Sequence, residues 1–392
     1  MRPGPARRRQ RGMLLPALLV LLAVGGLGWL LARQDSAAHR TLTREARTAD
    51  ALATAREALL GYAATYRNRE HPNADFGYLP CPDLDGDGSS ETCGTKGQIS
   101  IGRLPYLTLN LPDLRDGDGE CLWYAVSGNF KNNPKPDALN WDSIGSFRIL
   151  DEAASPRPLA GDQHGLAAAL VIAAGAPLPH QSRSAGPARC GGDSEARALR
   201  EYVEALEIAA GSGVVPVRSS AGNDRLMAIA TDDIYRQLKR RPSYPGWLQQ
   251  LIQAGADCLA GLPAAVAPET LGPVEVGRLP ALDRLTGPCR NDSLRDAFAN
   301  WADAMRYARC ADGSACLAGV GRRCRGALIF GAERADTSQR RADPSDRLAT
   351  RNYLEADTLA ALAAGQLASL PATFAIAAAD RPASADIALC IP

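Results

Sequence analysis

Hydrophobic positions follow two different patterns in the first part of the chain. From Met13 to Ala32 the stretch MLLPALLVLLAVGGLGWLLA carries no charge. Some 20 apolar residues at ~1.5 Å each cover the ~30 Å of a bilayer's hydrocarbon, so this run predicts a transmembrane helix. Five arginines precede Gly12, and such residues tend to stay on the cytoplasmic side. A secretory signal has a shorter apolar run and ends in small residues before a cut. This run ends in LLARQDS, which reads as retention. From Arg33 to about Tyr66 the apolar positions narrow to one stripe: Leu42, Ala46, Ala49, Ala53, Leu60 and Ala63. Arg40, Arg44, Glu45, Arg47, Arg56 and Glu57 occupy the other faces, as on a helix packed along one side. With no proline between Arg33 and Tyr66, the two patterns predict one helix over 13–66, half span and half stem.

From Phe76 the pattern changes to turns rich in Gly, Pro, Asp and Cys, with short apolar runs between them. Strands are expected at Leu122–Ser127, Phe147–Leu150, Ala167–Ala173, Val214–Val217 and Leu226–Ile229. Helices are expected from Thr231, a plausible N-cap, and over Trp247–Leu259. Four short strings recur in the same order. GRLP opens at Gly102 and Gly277, and a Tyr-Ala pair occurs at Tyr124 and Tyr307. LVIAAGAP from Leu170 echoes LIFGAERA from Leu328, and YVEA at Tyr202 echoes YLEA at Tyr353. The expected fold is α+β: a basic leader over 1–12, the helix over 13–66, and two head modules over 67–230 and 231–392. Each module is expected to be a helix on an antiparallel sheet, the pair arising by internal duplication.

Net charge is +1, which argues against nucleic acid as a partner, since phosphate binding needs a concentrated basic face. Ten cysteines are present and no C-x-x-C pair occurs, so disulfides in an oxidising compartment are expected before zinc. Cys81 and Cys93 flank one loop and form the first candidate pair. Cys310 with Cys316 or Cys324 is the next, followed by Cys121–Cys190 and Cys258–Cys289.

The sharpest chemical motif is Asp83-Leu-Asp85-Gly-Asp87-Gly88. Alternate aspartates can turn their carboxylates onto one hard cation, and glycine permits the tight turn, as in an EF-hand. The twelfth loop position is Gly94 instead of the usual glutamate. A second acidic turn holds Asp113, Asp116, Asp118 and Glu120. Asp83, Asp85, Asp87, Asp116, Asp118 and Glu120 are thus the candidate ligands for structural calcium, against the plainer reading of DGDG as turn sequence. The four histidines, His39, His71, His164 and His180, lie in no catalytic motif, and neither a G-x-S-x-G elbow nor a phosphate-binding lysine loop is present. A non-enzymatic protein is expected.

Taken together, the basic leader ending in Gly12, the apolar run opening at Met13, the continuing helix and the LPCPD…DGDG…LPY…LPDL…WYAVSG stretch resemble the pilin-like proteins of type IV pili and type II secretion systems. The resemblance is to the large minor pilins and covers roughly residues 7–130. It implies cleavage by a prepilin peptidase at Gly12–Met13 and a helix that packs into a filament. It also implies a head in the periplasm on a single-pass inner-membrane anchor, with other pilin-like subunits and assembly or secretion proteins as partners. The family usually carries Glu as the fifth mature residue. Here that position is Ala17, as in some tip subunits. The alternative is a membrane-tethered periplasmic enzyme or ligand-binding protein on a pilin-like stem.

Overall fold

The chain opens on one 56-residue helix, α1 (Leu14–Arg69). The computed structural model describes residues 14–69, 71–72, 74–151, 153–159, 165–183, 190, 199–206, 213–218, 222–281, 285, 292–334, 338–375 and 385–392. The expected cleavage point, Gly12–Met13, lies outside them. Over 18–24 and 38–47 every residue of α1 is exposed, and its buried face begins at Ala51. Ala51, Leu52, Ala55, Leu59, Leu60, Ala63 and Tyr66 then recur at helical spacing and turn one face inward.

Among the described residues no helix is long and apolar enough to cross a membrane. This corrects the expected transmembrane helix, and with it the placement as a single-pass inner-membrane protein with a periplasmic head. Exposed large apolar side chains on α1 include Leu18–Leu22, Val24 and Leu42. Among the described residues four disulfides, Cys81–Cys93, Cys121–Cys190, Cys310–Cys316 and Cys324–Cys390, fit an oxidising compartment. Three of these pairings match sequence candidates. Cys324 pairs with Cys390 and not with Cys310. The Cys258–Cys289 candidate involves Cys289, which is outside the described residues.

Strands β1 (Ser100–Arg103), β2 (Trp123–Val126), β5 (Ala169–Ala173) and β7 (Arg225–Ile229) form an antiparallel sheet in the order β1-β2-β5-β7. α1 packs on β5 and β7. The opposite face of this sheet is covered by a second sheet in the order β4-β3-β6, made of β3 (Phe147–Leu150), β4 (Leu166–Ala167) and β6 (Val215–Arg218). Trp123, Ala125, Leu170 and Ile172 point to that side and meet Phe147, Ile149, Val215 and Val217, while Tyr124, Val126 and Val171 point to α1. A strand covered on both faces has no polar side, which is why WYAV and ALVIA read as unbroken apolar runs.

The second half holds α2 (Thr231–Lys239), α3 (Tyr244–Cys258), α4 (Asp292–Trp301) and α5 (Ala356–Ala363). Its main sheet is β14-β13-β10-β9-β8, from β8 (Val266–Leu271), β9 (Val274–Arg278), β10 (Met305–Cys310), β13 (Gly326–Phe330) and β14 (Ile387–Ile391). A short ladder joins β11 (Leu317–Ala318) to β12 (Arg323–Cys324). α3 packs on β13 and β14, and α2 packs on α1.

The expected pair of separate helix-plus-antiparallel-sheet modules is therefore corrected. The strands are spread over four sheets, and β3 and β6 run parallel. One hydrophobic core runs from Ala51 on α1 to Ile391 on β14. The GRLP echo has a local cause. Gly102 lies opposite Tyr124 and Gly277 opposite Tyr307. At each glycine a Cβ would fall 2.5 Å from a neighbouring carbonyl oxygen, that of Asp83 or of Val266.

A buried polar knot joins the two halves. Asp75, 1% exposed, accepts hydrogen bonds from Asn300 Nδ2 (3.1 Å), Trp301 Nε1 (2.8 Å) and Phe76 N (2.7 Å). Asn300 Oδ1 takes Leu139 N at 2.8 Å, and its carbonyl takes Asn140 Nδ2 at 2.7 Å. Burial raises the Asp75 carboxyl to about 7, against the opposing pull of those donors and of Arg67. The folded chain thus holds a proton that the unfolded chain releases near pH 4. The resulting stability is complete below pH 4 and is lost as pH rises through 7, a change on the order of 4 kcal/mol. Thermal melting should show stability falling between pH 5 and pH 8. Asp75→Asn should flatten that slope, and an unchanged slope would remove Asp75 as its cause.

Candidate metal centre

The loop after Cys81 is hooked onto the edge of the first sheet. Asp83 N donates to Arg103 O at 3.0 Å and Arg103 N to Asp83 O at 2.8 Å, so the loop closes the free side of β1. The Cys81–Cys93 disulfide ties its two ends. Gly86 and Gly88 adopt φ of 86° and 91°, a left-handed conformation that L side chains resist. The alternation Asp-x-Asp-Gly-Asp-Gly therefore bends the backbone so that its carboxylates face inward.

Asp83, Asp85, Asp87 and Glu91 each bring a carboxylate oxygen within 4.8 Å of the others. Asp83 is fully buried and accepts Gly86 N (2.5 Å) and Gly88 N (2.8 Å). Asp85 Oδ1 accepts Asp87 N at 3.1 Å, and Asp87 Oδ1 accepts Ser89 N at 2.7 Å. Glu91 Oε2 accepts Leu84 N at 2.7 Å, while Glu91 Oε1 is buried with no hydrogen-bond partner. Among the described residues no Lys, Arg or His forms a salt bridge with any of the four. Burial above all pushes the Asp83 and Glu91 carboxyls up; backbone donors oppose it, and the neighbouring carboxylates add a smaller upward push.

Four carboxylates facing one another repel, and one buried oxygen, Glu91 Oε1, has no donor. A hard divalent cation bound by oxygen removes both costs, and this donor set suits calcium. Glu91 was absent from the ligands expected from sequence, because an EF-hand places its bidentate glutamate at the twelfth position. Glu91 is the ninth counted from Asp83. The legible signal was an acidic residue still inside the Cys81–Cys93 loop.

The second acidic turn is arranged differently. Asp116 is buried. Its Oδ1 accepts Asp118 N and Glu120 N, both at 2.9 Å, and its Oδ2 accepts Gly175 N at 2.9 Å. Asp118 pairs with Arg44 at 3.1 Å and Glu120 with Arg183 at 3.3 Å. Asp113 pairs with Arg115 at 2.8 Å. Asp116, Asp118 and Glu120 form no converging ligand cluster among the described residues. Their carboxylates shape the turn and hold it to α1, where Gly117 N donates to Thr48 Oγ1 at 2.9 Å. His39, His71 and His180 are exposed, and His164 is outside the described residues.

Compared with known families, curated proteins and solved structures, the chain matches none of them.

Adding calcium should raise the melting temperature, and a chelator should lower it. A ligand at 100 times its Kd adds about 2.7 kcal/mol. Asp85→Asn with Asp87→Asn should reduce the response while leaving the chelator-treated melt near that of the parent. A melt indifferent to both calcium and chelator would exclude the ion. Because protonation of Asp83 and Glu91 competes with the cation, affinity should fall as the solution is acidified.

Proposed function

We propose that the protein is a non-enzymatic, pilin-like assembly subunit. α1 would pack against the corresponding helices of neighbouring subunits, and the head would carry the surfaces that recognise other subunits or assembly and secretion proteins. One observation carries this reading. Leu18, Leu19, Val20, Leu21, Leu22 and Val24 are 58–71% exposed on a helix that leaves the head. Six large apolar residues at near-consecutive positions surround the helix on every side, so no rotation against the head could hide them. A continuous apolar surface of this kind marks an interaction site. Neighbouring helices bearing the same surface would cover all its sides at once.

Three further features are consistent with a subunit that works by shape. The part of α1 that precedes Thr48, residues 14–47, is about 50 Å long at ~1.5 Å per residue, enough to reach across a neighbour. The base of the helix is fixed to the head by the Arg44–Asp118 pair and by Arg56, whose Nη2 meets Asp233 of α2 at 2.9 Å. The disulfides and the acidic loop then stiffen the head. Calcium bound in that loop would be structural, holding the edge of the first sheet.

Sedimentation of the full chain should show concentration-dependent association. Leu19→Glu with Leu22→Glu should leave monomers whose head melts as before. A wild-type chain that stays monomeric throughout would overturn the assembly reading. Intact mass after expression in a host with a prepilin peptidase addresses processing: loss of the first 12 residues is expected, and an unprocessed chain would sink that step.

A further inference from the structure

The turn before β7 carries an unusual set of oxygens. Asp224 is 2% exposed. Its Oδ2 accepts Glu204 N (2.8 Å) and Ala205 N (2.9 Å), while its Oδ1 is buried and meets no donor. Glu204 shows the same division: Gln181 Nε2 donates to Oε1, and Oε2 is buried without a partner. Asn223 Nδ2 donates to Ala176 O at 2.6 Å, and Asn223 Oδ1 is again buried without a donor. Glu204 is tied to Asp224 through its backbone N–H, and Asn223 precedes Asp224 in the same turn. Glu204 Oε2 lies against Gly222, whose φ of 58° and lack of a side chain admit it. Burial, first, and the Glu204 charge, among the lesser causes, raise the Asp224 carboxyl to about 7.

The second half contains a natural comparison. Asp386 precedes β14 as Asp224 precedes β7, and it holds the YLEA segment as Asp224 holds YVEA. Asp386 Oδ2 accepts Glu355 N at 2.7 Å and Oδ1 accepts Ala332 N at 3.2 Å, so both of its oxygens are used. Tying the segment to the strand does not explain an unsatisfied oxygen at Asp224, still less two more beside it. Arg225 donates to the Asp224 carbonyl at 3.3 Å, and the cation that acts on the Asp224 carboxyl is Arg183. Its guanidinium donates to Gly175 O, Ala174 O, Glu201 O and Gln181 Oε1 and pairs with Glu120. None of these bonds reaches Glu204, Asn223 or Asp224.

We propose that Glu204 Oε2, Asn223 Oδ1 and Asp224 Oδ1 form a second cation site, for a hard oxygen-seeking ion of the calcium class. Two carboxylates and an amide carbonyl supply oxygen ligands only, with carbonyls or water completing the usual six to eight. The ion would lock the 199–206 segment to the start of β7, beside the groove between α1 and the first sheet that Asn223, Gly175 and Ala176 help to line. This site does not depend on the Asp83 loop or on the assembly reading.

The test is a count of bound calcium by equilibrium dialysis on the full chain. Wild type should hold two ions. Glu204→Gln with Asp224→Asn, both close in shape to the originals, should hold one. Asp85→Asn with Asp87→Asn should also hold one, and combining all four should leave none. Retention of the loop ion by the Glu204/Asp224 variant reports that it has folded. Unchanged binding in that variant would overturn the proposal. So would a loop-deficient chain that binds no calcium and instead takes up one proton near pH 7, which would mean that the two carboxylates share a proton. If the loop substitutions change nothing but the Glu204/Asp224 pair removes the single ion bound, the loop reading fails and this site stands.

Discussion

The knot around Asp75 is the constraint on which the rest of the structure depends. A carboxyl at 1% exposure can stay there only with partners, and most of its partners come from far along the chain. Asn300 and Trp301 end α4, and Asn300 in turn holds the backbone of Leu139 and the amide of Asn140. The segment that follows α1 is thus fixed to the second half before any sheet contact is considered. Aromatic rings pack around the same point: Trp301 lies against Trp141, Tyr235 and Phe330. Separating the halves would expose this cluster and strand several buried polar groups, each worth ~1–3 kcal/mol.

Once the base of α1 is fixed, the other features follow from it. Its buried face covers one side of the first sheet, so the second side needs a different cover, and the β4-β3-β6 sheet supplies it. The acidic turn at Asp116 docks on the helix where it emerges from the head, and the Asp83 loop closes the opposite edge of the sheet at β1. The head is closed on the sides nearest α1, and the exposed apolar surface is concentrated on the helix beyond it.

Much of this was legible residue by residue. The apolar stripe through Leu60 and Ala63 gave the stem helix, and the runs Phe147–Leu150 and Leu226–Ile229 fall within observed strands. The Cys81–Cys93 pair could be read because both cysteines flank one turn-rich loop. Cys324–Cys390 could not, since only the fold brings β12 beside β14 and joins residues 66 apart. The membrane span was inferred from composition along 13–32, a test of apolarity that does not report how a helix is placed. Glu91 was passed over because the loop was compared with a fixed spacing, while the backbone turns at Gly86 and Gly88 bring the ninth position inward.

The sequence by itself determined the local choices: where helices run, where glycine must bend the chain, and which stretches are apolar on one side or on both. These depend on backbone sterics and side-chain periodicity over a few residues, which the order of residues encodes directly. Only the tertiary structure decided that the two echoing halves share one core, that Asp116 is a turn-builder while Asp83 faces three other carboxylates, and that Asp224 keeps an unsatisfied oxygen where Asp386 does not. Each of those outcomes depends on which distant groups arrive beside a side chain, and long-range packing sets that arrival.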